Sequence, residues 1–262
     1  MKEIFSREYG ADRAIMEDIG MEAKGLEFSE YMTKESLAQQ GGYGLALKGP
    51  QHDEAWLIFV DMVHNFMPTF EQKAEALHWF PLLRTWFGLC GLCKLPWNDI
   101  VPADNKQTKE PAKVMQHVEW YSRYFSAVTG RTIDPAGMIL MSERVYNFQR
   151  IFNLKMGFGR REHDAIPYRA MGPVTVEEFE SRHERYDKQL REVHQVDIEG
   201  KETAQKVKIL RDFRQKRYEE LKDAVYKRRG WTADGIPTVE TVKRLGIDFP
   251  EVMDVLKAHG VA

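Results

Sequence analysis

Apolar residues recur at spacings of three and four along this chain, and clean alternation over five or more residues is hard to find. That periodicity belongs to helices with one buried stripe, not to strands with one buried face. The sequence therefore reads as an all-α fold of packed helical subdomains. At 262 residues it is long enough for one large or two modest domains with a real core. Apolar residues make up 43% and charged residues 30%, an ordinary globular balance.

Local signals place the elements. Gly41-Gly42-Tyr43-Gly44 and Gly49-Pro50 read as a flexible loop, so residues 1–50 are expected to form an irregular N-terminal segment. Glu54 to Phe66 reads as a largely buried helix stopped near Pro68. Thr69 is a candidate N-cap, with Phe70, Ala74, Leu77 and Phe80 or Pro81 following at helical spacing. Asn98 to Pro111 reads as a polar loop. A helix from Pro111 or Ala112 to Thr129 would align Val114, Val118, Tyr121 and Phe125 on one stripe. A further helix over Ser142 to Leu154 takes Ser142 as N-cap and ends at Gly157 and Gly159. Residues 51–157 are thus expected to be one helical domain.

Residues 158–262 form a more charged helical region. Thr175 can cap a helix with Glu177 and Glu178 in its first turn. Lys206 to Arg229 reads as a long helix with Val207, Leu210, Phe213, Leu221 and Val225 inward and Gly230 at its end. Thr238 begins a short helix ended by Gly246, and Pro250 opens a last one. Most of the charge here reads as a solvated helical face with i,i+4 pairs.

Several function classes drop out. Lys and Arg number 38 against 40 Asp and Glu, a net charge of −2, so no broad nucleic-acid footprint is expected. No run approaches the ~18–20 apolar residues of a membrane span, and residues 1–8 lack a signal-peptide core. Two cysteines exclude a disulfide scaffold, and a cytoplasmic protein in a reducing compartment is expected. The glycine stretch Gly41 to Gly49 matches no nucleotide-binding loop, and neither G-x-S-x-G nor H-E-x-x-H occurs.

One chemical constellation remains, Cys90-Gly91-Leu92-Cys93. It admits three readings: a dithiol redox pair at a helix N-terminus, metal or cluster ligation, or two buried and inert thiols. A cubane iron–sulfur cluster or a structural zinc usually takes four ligands. Two cysteines cannot supply four thiolates, so any such cluster would be finished by residues outside this sequence. His52, beside Asp53 in a glycine-rich stretch, is the other candidate for catalysis, with an ordinary surface histidine as the alternative. His64 and His78 sit in apolar helical context and read as core residues.

Three blocks resemble one family, the C-terminal part of the tungsten-containing aldehyde:ferredoxin oxidoreductases. Gly91-Leu92-Cys93-Lys94 is similar to that family's D-x-x-G-L-C-x-F. Ser142-Glu143-Arg144-Val145-Tyr146-Asn147-Phe148-Gln149-Arg150-Ile151-Phe152-Asn153, with Gly157-Phe158 and Arg160-Arg161, is similar to E-R-x-x-N-L-x-R-x-F-N-x-x-x-G-F-x-R. Tyr226-Lys227-Arg228-Arg229-Gly230-Trp231 and Gly235-Ile236-Pro237-Thr238 are similar to Y-x-x-R-G-W-x-x-x-G-x-P-T, and Lys24-Gly25-Leu26-Glu27 to an earlier K-G-L-E. Within the family, Trp86 to Trp97 and Arg160 to Asp164 look most like the catalytic subunit of ATP-independent, tungsten-dependent benzoyl-CoA reductases.

The resemblance implies helical domains closing over a tungsten bis-pterin and its substrate channel. It implies that Cys93 is one of four thiolates on a [4Fe–4S] cluster, with Cys90 as the alternative ligand, and that Gly91 and Leu92 lie beside the pterin. The family's Asp, a pterin contact there, falls on Gly88 here, a departure from the family's pattern. The β-rich domain and C-x-x-C-x-x-x-C triplet that carry the other ligands do not occur here. An N-terminal tungstopterin-binding polypeptide or domain is therefore an expected partner, with a ferredoxin or electron-transfer subunit as electron acceptor or donor. The implied chemistry is oxidation of an aldehyde or reduction of an aromatic acyl thioester. The competing expectation is a helical remnant or assembly module that binds no cofactor alone.

Overall fold

The computed structural model describes residues 7, 20–29, 33–94 and 115–262, without the side chains of residues 115–118. The expected Asn98 to Pro111 loop, the start of the next helix, and Val114 and Val118 on its stripe lie outside this set. The all-α expectation holds. Among the described residues the strands are one antiparallel pair, β1 (Glu22–Ala23) and β2 (Leu26–Glu27). Lys24 and Gly25 turn between them with φ of 55° and 74°. Two successive positive-φ residues match the twist of a tight hairpin.

The first helix, α1 (Leu37–Gly44), corrects the loop reading of Gly41–Gly44. These glycines sit inside a helix because other chain segments press against them. A Cβ on Gly41 would lie 2.4 Å from Leu77, on Gly42 2.5 Å from the Ala55 carbonyl, and on Gly44 1.8 Å from the Tyr218 hydroxyl. The expected helix from Glu54 to Phe66 shrinks to a turn at Phe59–Val63. Gln39 accounts for the difference. Its Oε1 accepts from the Leu57 and Ile58 N–H groups at 2.6 and 2.8 Å, and its Nε2 donates to the Ala55 carbonyl at 3.1 Å. One buried side chain satisfies backbone that would otherwise need a helix.

Helix α2 (Phe70–Leu89) starts at the expected cap, where Thr69 and Gln72 form a capping box. It runs through Pro81. Proline has no N–H for the Leu77 carbonyl four residues back. Arg229 supplies the missing donor, its Nη2 lying 2.9 Å from that carbonyl. Helix α3 is Met115–Thr129. Helix α4 (Pro135–Lys155) begins before the expected Ser142. Asp134 is the cap, accepting from the Gly137 N–H at 2.7 Å, and Ser142 is buried mid-helix. Then follow α5 (Val176–Glu180), α6 (His183–Lys188), α7 (Thr203–Arg229), α8 (Val239–Leu245) and α9 (Pro250–Ala258). The caps at Thr175, Gly230, Thr238 and Gly246 stand where the sequence puts them.

Helix α2 packs between α4 and α7, with α1 against both α2 and α7. Their shared core includes Leu77, Phe80, Tyr146, Leu221 and Val225. Each such side chain contributes about 1.5–3 kcal/mol on burial. A second cluster joins Ile151 and Leu154 of α4 to α8 and α9. A third joins Phe179, Tyr186 and Leu190 to Val207 and Leu210 of α7. Phe213 is half-buried and stacks on His194 at 4.3 Å.

The charged face of α7 is less solvated than expected. Arg211 donates to the carbonyls of Pro173 and Tyr168, and Arg214 grips Glu35. At the centre lies a buried polar node. Arg150 meets Asp164 with two hydrogen bonds, of 3.0 and 2.8 Å, and both side chains are fully buried. The Tyr226 hydroxyl donates to the same carboxylate at 2.5 Å, and the Lys24 ammonium lies 3.1 Å from it. The Arg150 Nε donates to the Gly235 carbonyl at 2.8 Å. A Cβ on Gly235 would stand 2.3 Å from the guanidinium, and its φ is +76°. Trp231 donates from its indole to Asn147 at 2.7 Å. Burial alone would raise the Asp164 carboxyl, but Arg150 and Lys24 hold it far below the usual carboxylate range.

Candidate functional site

The cysteines follow the C-terminus of α2. Cys90 is the cap residue, and Gly91 takes φ of +66°. The Gly91 N–H returns to the Gly88 carbonyl at 3.3 Å and the Leu92 N–H to the Phe87 carbonyl at 2.9 Å. This is a Schellman turn, which needs a left-handed residue where glycine stands. Two of the placements expected for the cysteines are thereby corrected. The thiols are not at a helix N-terminus, and they are not buried: Cys90 and Cys93 are both exposed. Partial burial pushes the Cys90 thiol above its ordinary pKa. The negative end of the helix dipole does nothing to ease its ionisation.

Cys90, Leu92 and Cys93 line one cavity of about 710 Å³ with Trp86, Phe87 and residues of α3, among them Tyr121 and Phe125. Its wall is largely apolar and aromatic. Trp86 packs on Phe125 at 5.1 Å between ring centres, and Phe87 on Tyr121 at 5.0 Å edge-on. Tyr124 and Val128 of α3 are exposed at the rim.

Arg84 fixes the chain beyond the cysteines. It is fully buried, its guanidinium 5.0 Å from the Phe87 ring centre. Its Nε donates to the Asp53 carbonyl at 3.0 Å and its Nη2 to the Lys94 carbonyl at 2.6 Å. The Lys94 ammonium pairs with the Asp53 carboxylate at 3.4 Å, and Lys48 pairs with it too. Burial would raise the Asp53 carboxyl, but the hydrogen bond from Lys48 and the charge of Lys94 hold it below its ordinary value. The residue after Cys93 is thus tied to the residue after His52. Nothing in the local sequence around Arg84 signals this role, since its partners lie 31 residues before it and 10 after.

His52 does not line the cysteine cavity. It lies in a separate cleft of about 810 Å³ with Leu26, Ser29 and Gln51. Its Nδ1 is 2.9 Å from the Ser29 hydroxyl. Burial pushes the imidazole below its ordinary pKa, against the opposing charge of Asp53. The structure therefore groups Gly91, Leu92, Cys93 and Cys90 on one turn and leaves His52 across the Asp53–Lys94 pair. His64 stacks on Phe66 and meets Phe59 edge-on, and His78 is driven down to about pKa 4 by burial and by Arg229.

A family model described as aldehyde ferredoxin oxidoreductase, domains 2 & 3, matches residues 3–247. The chain belongs to the aldehyde ferredoxin oxidoreductase family, and its helical fold is that of the family's second and third domains. Among solved structures it is similar to a chain of the "Active site complex BamBC of Benzoyl Coenzyme A reductase in complex with 1,5 Dienoyl-CoA". The identity is 21% and the TM-score 0.46, over 74% of this chain and 22% of that one. This chain therefore spans roughly a fifth of that structure's chain. No curated protein matches it.

Cys93 is a soft, exposed donor on a turn fixed by hydrogen bonds, which suits one ligand of a thiolate-bound cluster. The chain has two cysteines in all, and no group of three or more metal-binding side chains occurs among the described residues. These residues fit a part of a cluster site and do not complete one. Among the described residues no helix is long and apolar enough to cross a membrane.

Proposed function

We propose that this chain is the helical part of a tungstopterin and [4Fe–4S] oxidoreductase, in which Cys93 supplies one cluster thiolate. Family membership supports the oxidoreductase class. The observation that carries the ligand assignment is the exposed Cys93 on a locked turn at the rim of an apolar cavity. Bound, the tungstopterin and cluster would supply two-electron chemistry coupled to one-electron transfer. The chain's own residues ligate, orient and exclude water. Gly91 and Leu92 set the backbone beside the pterin. Trp86, Phe87, Tyr121 and Phe125 keep the cavity dry, which strengthens electrostatic contacts within it. Arg84 and the Asp53–Lys94 pair hold the cysteine turn in place. His52, neutral near pH 7 and oriented by Ser29, can move a proton in the neighbouring cleft. The remaining ligands and pterin contacts come from a separate N-terminal polypeptide or domain, with a ferredoxin or electron-transfer subunit beyond it. The substrate is an aldehyde or, following the benzoyl-CoA reductase resemblance, an aromatic acyl-CoA.

The test is reconstitution with a β-rich polypeptide bearing C-x-x-C-x-x-x-C. Cys93→Ala should lower bound iron and activity, and Cys90→Ala should do so much less. Equal loss from both, or loss from Cys90→Ala alone, would overturn the assignment. A second reading, a helical module without cofactor, is favoured by the count of two cysteines. It predicts no iron in either wild type or variant.

A further inference from the structure

We infer that Cys90 and Cys93 form a reversible thiol–disulfide site, in which Cys90 can take Cys93 out of the thiolate form needed for ligation. The oxidant is a small-molecule disulfide such as oxidised glutathione. The site follows from position. Both thiols are exposed, and they flank the left-handed Gly91. Between them the chain reverses, because the Leu92 N–H bonds back to Phe87. Two side chains three residues apart across such a turn lie on the same end of α2, and both line the same cavity wall. Closing a bridge across a turn of this length orders little additional chain. The turn itself is uncrowded, since a Cβ added at Gly88 or Gly91 would meet nothing within 4 Å outside the adjoining chain.

The balance is simple. The thiolate of one cysteine attacks a sulfur of the small disulfide and releases one small thiolate. The second cysteine, once deprotonated, attacks the mixed disulfide and releases the other. Two thiols of the chain lose two electrons and two protons, and one small disulfide becomes two small thiols. Reduction runs the same exchange backwards. Because both cysteines are exposed, a small disulfide can reach either sulfur. The consequence for ligation rests on the role of Cys93 proposed above. The disulfide itself does not.

The full chain, purified without metal, is equilibrated in glutathione buffers from fully reduced to fully oxidised, then acid-quenched, alkylated and weighed. The expected product at the oxidised end is a chain lighter by two hydrogens, with neither cysteine alkylated. Excess dithiol should restore double alkylation. Cys90→Ser should abolish this species and give a glutathione adduct on Cys93 in its place. Two alkylated thiols, or adducts on both, at every buffer ratio would overturn the inference. Iron in the reconstituted complex is read separately. Iron loss in Cys93→Ala with no disulfide at any ratio sinks this inference alone. A disulfide with unchanged iron in Cys93→Ala sinks the ligand reading and with it the guarding role.

Discussion

Replacing Asp164 by asparagine keeps the shape of the buried node and removes its central anion. In the native chain that carboxylate faces two cations, Arg150 at 2.8 Å and Lys24 at 3.1 Å, with both sides almost fully shielded from water. In Asp164→Asn both cations stay buried without compensation. Breaking a buried pair by removing one partner costs about 3–5 kcal/mol. Whole domains have only about 5–15 kcal/mol of stability. The urea midpoint should therefore fall by about 1–2 M. Lys24→Met should cost less, because burial already pushes the Lys24 ammonium below its ordinary pKa and the Arg150–Asp164 pair survives. In the double variant one uncompensated cation is gone, so the two costs should not add. Equilibrium urea unfolding of the four proteins completes the cycle. A midpoint change below about 0.5 M for Asp164→Asn, or strict additivity with Lys24→Met, would refute the view of this node as a coupled buried ion cluster.

Other predictions use the same unfolding assay. Gly44→Ala places a Cβ 1.8 Å from the Tyr218 hydroxyl and should cost about 3 kcal/mol, whereas Gly91→Ala meets no neighbour and should cost about 1 kcal/mol for its positive φ alone. His78 has an ordinary value of 6.5 and is held near 4 in the fold. The folded state binds that proton less tightly than the unfolded chain does. Its contribution is thus full above pH 6.5 and fades as pH falls toward 4, by about 2 kcal/mol between pH 7 and 5. His78→Leu should remove that part of the pH dependence, and an unchanged slope would contradict the assignment.

Features set by neighbours in sequence were legible there. Thr69, Thr175 and Thr238 accept from N–H groups three residues on, and Gly230 and Gly246 end helices by local φ. Features set by distant partners were not. Gly41 to Gly44 look like a loop until Leu77, Ala55 and Tyr218 are placed against them. That Pro81 sits inside a continuing helix depends on Arg229, 152 residues from Leu77, which supplies the lost hydrogen bond. Ser142 has a cap's chemistry, but Asp134 followed by Pro135 starts the helix a full two turns earlier.

The blocks that carry the family resemblance were visible as strings, and their common purpose was not. Lys24, Arg150, Tyr226 and Gly235 come from three of them and meet around Asp164. Those blocks hold the helices together, and the cysteine block stands apart at the end of α2. The exposure of Cys93 could not be read from its spacing, because C-x-x-C fits a buried pair as well as an open turn. Arg84 gave no signal either, since its function is to bridge Asp53 and Lys94.

The central claim is that this chain works as part of a metal-bearing oxidoreductase. Iron and tungsten content, taken with native mass on material purified anaerobically from its own cells, tests it most directly. The account predicts a species heavier than the 30.6 kDa chain, carrying tungsten and about four irons per copy. A metal-free monomer of 30.6 kDa would contradict it and leave the family membership as a record of ancestry.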